Sequence, residues 1–426
     1  MTGSPMRWKI AAGVVILVLV AVGGVAVAYN RLTDQPNDAA DTELAGVSVE
    51  AATDTGPITT AETPETETDS PPERCWHEFG GDPQRRVSRP LIDLGRPTRV
   101  LWSRRMGDLM EYPPTFCDGR LYVALEHGGV IALDSTTGRL VWKRDTGGPH
   151  ASSPAIYDSL LIVSSHDGSV TAFTREDGRK VWRIDVPGKV ESSPVVVDET
   201  AYFGSTEGRL YAVDANRGTV RWAYNTGGRI NASPSVFGNR ICISTYAGAV
   251  FCLDRRNGQK LWDTYVKQNA FSYESFYASA STDGARLYTT SRAGKIVALS
   301  ARSGKVVWTF QMGDWGYATP AIASGRVYVG GFDGHLRAFR ATDGRVLWDR
   351  TLGGTILAPA LVVGDLVFVS TLERDTYGLR TSDGKVVWHR SEGGYSPGIA
   401  TDRQYFFSFR RVLYAFRGEN SPPEPD

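Results

Sequence analysis

The phrases ALDSTTGRLVW (132–142) and AVDANRGTVRW (212–222) are two versions of one unit, a Trp that follows a Gly by four residues. The Trp returns at Trp102, Trp142, Trp182, Trp222, Trp262, Trp308, Trp348 and Trp388; six of the seven spacings are 40 residues and one is 46. Seven of these carry the Gly: Gly138, Gly178, Gly218, Gly258, Gly304, Gly344 and Gly384. A second phrase recurs between them, as in GGVIAL (128–133), GSVTAF (168–173) and GRLYAV (208–213). A fixed period of about forty residues holding four short strands is a propeller blade. The expected fold is all-β, an eight-bladed β-propeller of four-stranded blades.

Residues 151–186 show how one blade is written. SSPAIYD reads as the inner strand, LLIVSSH as the second, SVTAFTR as the third and KVWRIDV as the outer one. Alternating apolar positions suit half-buried strands, and Asp167-Gly168 and Asp177-Gly178 supply the positive-φ residues of tight turns. Pro114, Pro154, Pro194, Pro234 and Pro320 each fall twelve residues after a Trp, where an inner strand begins and needs no ladder donor. The Trp series is expected to wedge between blades. The last blade, SPGIATD (396–402), QYFFSFR (404–410) and RVLYAFR (411–417), lacks an outer strand, which PTRVLW (97–102) is expected to supply. Such closure removes exposed edges. A six-residue insertion falls within 263–282.

The ends read differently. Residues 10–29 hold twenty positions without a charge after Arg7 and Lys9, enough to cross a hydrocarbon core of ~30 Å. The expected topology is single-pass: 1–9 cytoplasmic, 10–29 a transmembrane signal anchor, and the rest extracytoplasmic. Ala26-Val27-Ala28 leaves a cleaved signal peptide as the alternative. Residues 30–74, acidic and rich in Thr and Pro, read as a disordered linker with a reach of roughly 35–40 Å. The propeller is expected over 75–418 and a disordered tail over 419–426. Overall charge is zero, but 75–418 holds 43 basic and 33 acidic residues, scattered through turns. That spread gives no nucleic-acid footprint.

Four cysteines outside the cytoplasm permit disulfides. In ICISTYAGAVFC a hairpin centred on Ala247 sets Cys242 opposite Cys252, and Cys75 then pairs with Cys117 by elimination; free buried thiols are the other reading.

The phrase A-x-D-x-x-x-G-x-x-x-W, with the opening WHEFGGDPQRR (76–86), resembles the tryptophan-docking repeat of the pyrroloquinoline quinone (PQQ) type propellers over about 76–417. The Asp is kept at Asp134, Asp214 and Asp254, but is Thr174, Ser300, Arg340 and Arg380 elsewhere. That family holds quinoprotein dehydrogenases and also non-enzymatic propellers of the outer-membrane β-barrel assembly machinery. The dehydrogenases of the family carry adjacent cysteines and long lid insertions, and this chain has no Cys-Cys pair. WD-repeat propellers are a poorer match, since only Trp262-Asp263 and Trp348-Asp349 spell the pair.

No H-E-x-x-H, G-x-S-x-G or P-loop occurs. No catalytic residue and no metal ligand set is expected; His127 and His166 occupy equivalent turns. Topology places the links between blades, and the turns between second and third strands, on one face around the channel. The links contribute the candidate ligand-binding residues Glu111, Tyr112, His150, Glu191, Asn231, Tyr273, Glu274, Trp315, Tyr317 and Tyr395. The turns add Glu126, His166, Tyr246 and Arg292, among others. Trp315, Tyr317 and YESFY (273–277) form the sharpest group. The expected function is a membrane-anchored, monomeric, non-catalytic scaffold for an envelope protein, a peptide or a cell-wall glycan. The resemblance implies an alternative, a PQQ- and Ca²⁺-dependent dehydrogenase of alcohols or sugars.

Overall fold

Tight turns and period-2 strands fold residues 75–423, the part described by the computed structural model, into eight sheets. The anchor expected at 10–29 and the linker at 30–74 lie outside the described residues. Among the described residues no helix is long and apolar enough to cross a membrane. Blade 1 comprises Thr115–Cys117, Arg120–Ala124, Gly129–Asp134 and Leu140–Asp145. Blades 2 to 7 repeat this order over 155–185, 195–225, 235–265, 281–311, 321–351 and 361–390. Blade 8 takes three strands from 399–418, and Pro97–Arg105 completes it by pairing antiparallel with Val412–Gly418. Closure by the two termini is as expected. The inner strands are shorter than expected: SSPAIYD yields only Ala155–Tyr157, because Ser153 bonds instead to the neighbouring links, its amide to the Ser193 hydroxyl and its hydroxyl to the Pro113 carbonyl.

Each blade is keyed to the next by a Trp. The indole Nε1 of Trp102, Trp142, Trp182, Trp222, Trp262, Trp308 and Trp348 donates at 2.8–3.1 Å to a carbonyl in the following blade's turn before its outer strand. The ring lies flat against that turn's glycine. A Cβ on Gly218, at φ +72°, would stand 2.8 Å from the Trp182 ring. So the glycine four residues before each Trp serves the previous blade's Trp. Trp388 departs from the series: blade 8 borrows its outer strand from the other terminus and has no such turn, so Trp388 packs on Phe407 and Phe416 instead. The turn's own cap is flexible in sequence. Asp134 and Asp214 accept the amides of Thr137 and Arg217. Where Thr174, Arg340 and Arg380 replace the Asp, Asp177, Asp343 and Asp383 accept the amides of Arg179, Arg345 and Lys385.

Residues 76–89 form a strap inside the ring of inner strands. Their carbonyls at His77, Pro83, Gln84, Arg86 and Val87 accept backbone amides from Ile156, Val236, Thr282, Ile322 and Val362. Arg85 is fully buried, its guanidinium bonded to the carbonyls of Phe79, Ser193, Pro194 and Pro234. It thus supplies the contact that blade 3 does not receive from the strap's backbone. Burial lowers the Arg85 pKa to about 10. The resemblance alone would not have revealed this strap, although WHEFGGDPQRR is its sequence.

Both expected disulfides are present: Cys242 pairs in register with Cys252 with Cα atoms 4.1 Å apart, and Cys75 reaches Cys117 with Cα atoms 4.3 Å apart. Ordered chain runs past the boundary expected at 418, since the Glu419 and Asn420 amides donate to the carbonyls of Arg96 and Leu94.

Trp182→Ala is expected to cost about 3–5 kcal/mol, read by equilibrium denaturation. Gly218→Ala alone should also destabilise, through its positive φ and the clash. In the Trp182→Ala background the same change should cost less, because the clash is gone. Equal costs in both backgrounds would separate glycine from indole.

Candidate functional site

The residue four before each inner strand's first full pairing position stands at the start of the channel. The pairings Thr115↔Tyr122, Ala155↔Ile162, Val195↔Tyr202, Ser235↔Cys242, Ser281↔Tyr288, Ala321↔Tyr328, Leu361↔Phe368 and Ile399↔Phe406 set this register. Counting back gives a ring of Glu111, Ala151, Glu191, Asn231, Tyr277, Tyr317, Leu357 and Tyr395. Five of the ten residues expected from the sequence belong to it.

Glu191 is the hub. Its Oε2 accepts from Asn231 Nδ2, and from the Tyr277 hydroxyl at 3.3 Å. Tyr277 packs on Tyr317 with ring centroids 5.0 Å apart. Glu111 keeps its proton up to about 7, first through burial and then through the charges of Glu126 and Glu191. Burial, with those carboxylates nearby, also raises the phenols of Tyr112 and Tyr277, and of Tyr395. Burial lowers His166, against the opposing pull of Glu191. Tyr112 stands one residue beyond the ring and meets Phe79 of the strap edge-on at 5.7 Å. The strap is therefore the floor of this mouth.

Beside the ring lies an aromatic shelf. Trp315, 43% exposed, packs on Tyr317 and Phe332, and the Arg292 guanidinium covers it at 4.9 Å. Arg292 also reaches the Tyr246 ring, which Arg229 approaches at 6.0 Å.

Three of the expected residues lie elsewhere. His150 is buried one position short of the ring, in register with Met110, Val190, Ile230, Phe276 and Ile356, all buried. Its nitrogens are bonded to the Thr146 hydroxyl and the Ser164 carbonyl. The six-residue insertion displaced the count in blade 5. Tyr273 faces outward against Tyr265, and Glu274 is buried in an ion pair with Lys295 at 2.6 Å. Tyr277, at the end of YESFY, holds the ring position. Phe332 was missed altogether; counting from the turn that gives Glu126, His166, Tyr246 and Arg292 would have found it.

Away from the mouth, His127 pairs with Asp108 at 2.8 Å, and with Glu126 these offer ligand atoms within 4.8 Å on the exposed rim. A cleft of about 500 Å³ runs along the seam between blades 1 and 2, lined by Arg144, Arg179, Lys180 and Arg183. Arg144 is already spent on the carbonyls of Asp177 and Gly178, and Arg183 on Asp167 and Asp185.

The sequence profile of the family described as outer membrane protein assembly factor BamB matches residues 91–272 and 253–404. No curated protein matches the chain. Among solved structures, BamB from Moraxella catarrhalis is 15% identical with a TM-score of 0.65, covering 75% of this chain and 99% of that one. Quinohemoprotein alcohol dehydrogenase from Comamonas testosteroni is 13% identical with a TM-score of 0.70, covering 84% and 83%. A europium-containing methanol dehydrogenase is 14% identical with a TM-score of 0.65, covering 78% and 87%. At these identities the likeness is one of fold.

Glu111 yields a pH test. Its pKa is about 7 when folded against 4.5 for the free side chain, so the folded chain binds the extra proton between those values. Stability from this group is full below 4.5 and falls as pH rises through 7. Glu111→Gln should lose that fall, so its melting temperature relative to wild type should climb from pH 4.5 to 7. A constant difference would refute the shift.

Proposed function

We propose, on the premise that this chain belongs to the PQQ-repeat propeller family described as outer membrane protein assembly factor BamB, that it is a non-catalytic binding scaffold whose mouth engages an envelope protein. The observation that carries this reading is the mouth itself: a ring of acids and aromatics at one end of a channel whose other end the chain has filled with its own strap. Ligands enter and leave on one side only. The chain enters the propeller at Cys75, bonded to Cys117 beside the turn at Asp118, on the face opposite the mouth. An anchor at 10–29, as the sequence suggests, would make the propeller extracytoplasmic. An exposed Trp beside buried acids is the kind of surface that supplies binding hot spots, and a protein partner suits it better than a glycan because Arg292 already covers the Trp315 face.

The dehydrogenase alternative asks whether these residues fit PQQ and Ca²⁺. Glu191 and Asn231 offer oxygens of the kind calcium takes. The quinone does not fit: no adjacent cysteines are available to face it, since the disulfides lie at the floor and within blade 4. The ring presents Glu111 and Glu191 toward a tricarboxylate, with Glu126 behind them. We derive no step through it.

A photo-reactive residue at position 315 should capture a partner in cells, while one at exposed Glu176 on the floor should not. Trp315→Ala should abolish capture at neighbouring ring positions with melting unchanged. PQQ with Ca²⁺ should leave the melting temperature unmoved; ligand at 100 times its Kd would add ~2.7 kcal/mol, and such a shift would restore the dehydrogenase.

A further inference from the structure

We propose that the mouth ring is a receptor for one basic side chain, an arginine guanidinium or a lysine ammonium, carried by the partner; the proposal rests on the scaffold reading above. Four observations converge. The ring holds two carboxylates and no cation, and Glu126 stands close enough behind it to act on Glu111. Asn231 is 8% exposed and gives its Nδ2 to Glu191, yet its Oδ1 is buried and has no hydrogen-bond partner. A buried acceptor left open is destabilising unless a donor reaches it. A basic side chain entering the acidic ring would bring the donor that this acceptor lacks. Tyr277 and Tyr317 add aromatic faces that favour an organic cation.

Ala151 and Leu357 complete the ring with apolar positions. They suit the aliphatic stem of Arg or Lys and give nothing to a hydrated metal ion. Arg292 is engaged over Trp315 and Tyr246, and Arg410 acts on Tyr395 at the blade 8 side of the ring. The floor is closed by Phe79 under Tyr112 and by buried Arg85. A strand cannot thread through, whereas a protruding side chain can enter from the mouth.

The test is calorimetric titration of the full chain with a nine-residue Gly-Ser peptide carrying one central arginine, against the same peptide with citrulline, its neutral isostere. The arginine peptide should bind at least tenfold more tightly. Glu191→Gln and, separately, Glu111→Gln should erase that preference, while Glu207→Gln on the adjacent rim should retain it. Melting curves accompany each variant; if Glu191→Gln does not fold, Glu111→Gln decides. Equal binding of the two peptides, binding of neither, or a preference that survives both ring variants overturns the proposal. So does CaCl₂ alone raising the melting temperature and blocking the peptide, which would make the ring a metal site. Capture of a partner from position 315, with no arginine preference, would sink this inference and leave the scaffold standing. Absence of any captured partner would sink the scaffold reading itself.

Discussion

The indole-on-glycine contact between successive blades is the constraint from which the rest of the architecture follows. Each contact combines a large apolar ring, a directed hydrogen bond and a turn that tolerates no Cβ, as Trp182 shows with Ala215 and Gly218. A blade alone has two faces that would stay wet; docking buries them and fixes the angle to the next blade. Seven such joints set eight sheets in a circle. The eighth joint uses a different solution, Trp388 among the phenylalanines of blade 8, because a ring closed by two chain ends cannot repeat its own turn there.

Once the blades are held at equal angles, equivalent residues become neighbours around an axis although forty residues separate them. Glu191 and Asn231 are 40 apart and share a hydrogen bond; Glu191 and Tyr277 are 86 apart and share another. The same register carries Ser153, Ser193, Ser233 and Ser279, each amide of the first three donating to the next hydroxyl. Structural and functional rings therefore differ only in which position of the link they occupy. At one position the side chains are buried and apolar, with His150 as the polar exception; at the next they face the channel.

That difference of one residue explains what the sequence could and could not tell. The blade count, the closing strand expected at 97–102 and found at 97–105, and the pairing of Cys242 with Cys252 were legible, because the period and the hairpin turn fix them. The mouth was legible in part. Glu111, Glu191, Asn231 and Tyr317 each follow a Trp by nine residues and Tyr395 by seven, whereas the insertion shifted the count in blade 5, so that Tyr273 and Glu274 stood in for Tyr277. His150 was misplaced by one residue: it follows Trp142 by eight, whereas Glu111, Glu191 and Asn231 follow their Trp by nine, so Ala151 holds the ring position. The strap was not legible at all. Its partners are scattered from Phe116 to Val362, and no local pattern in WHEFGGDPQRR announces a segment that bonds to seven of the eight blades.

The closing strand also has a consequence for synthesis. Arg96 and Glu419 bond across 323 residues, and the strap carbonyls take the amides of six inner strands that emerge after it. Until the last strand is made, the first has no partner and the blades have no ring to join. Contacts this distant in sequence form late and slowly. The nascent protein therefore carries an unpaired amino-terminal edge through almost the whole of its translation, a period in which a holding factor would protect it from joining another chain and slow synthesis would prolong the exposure.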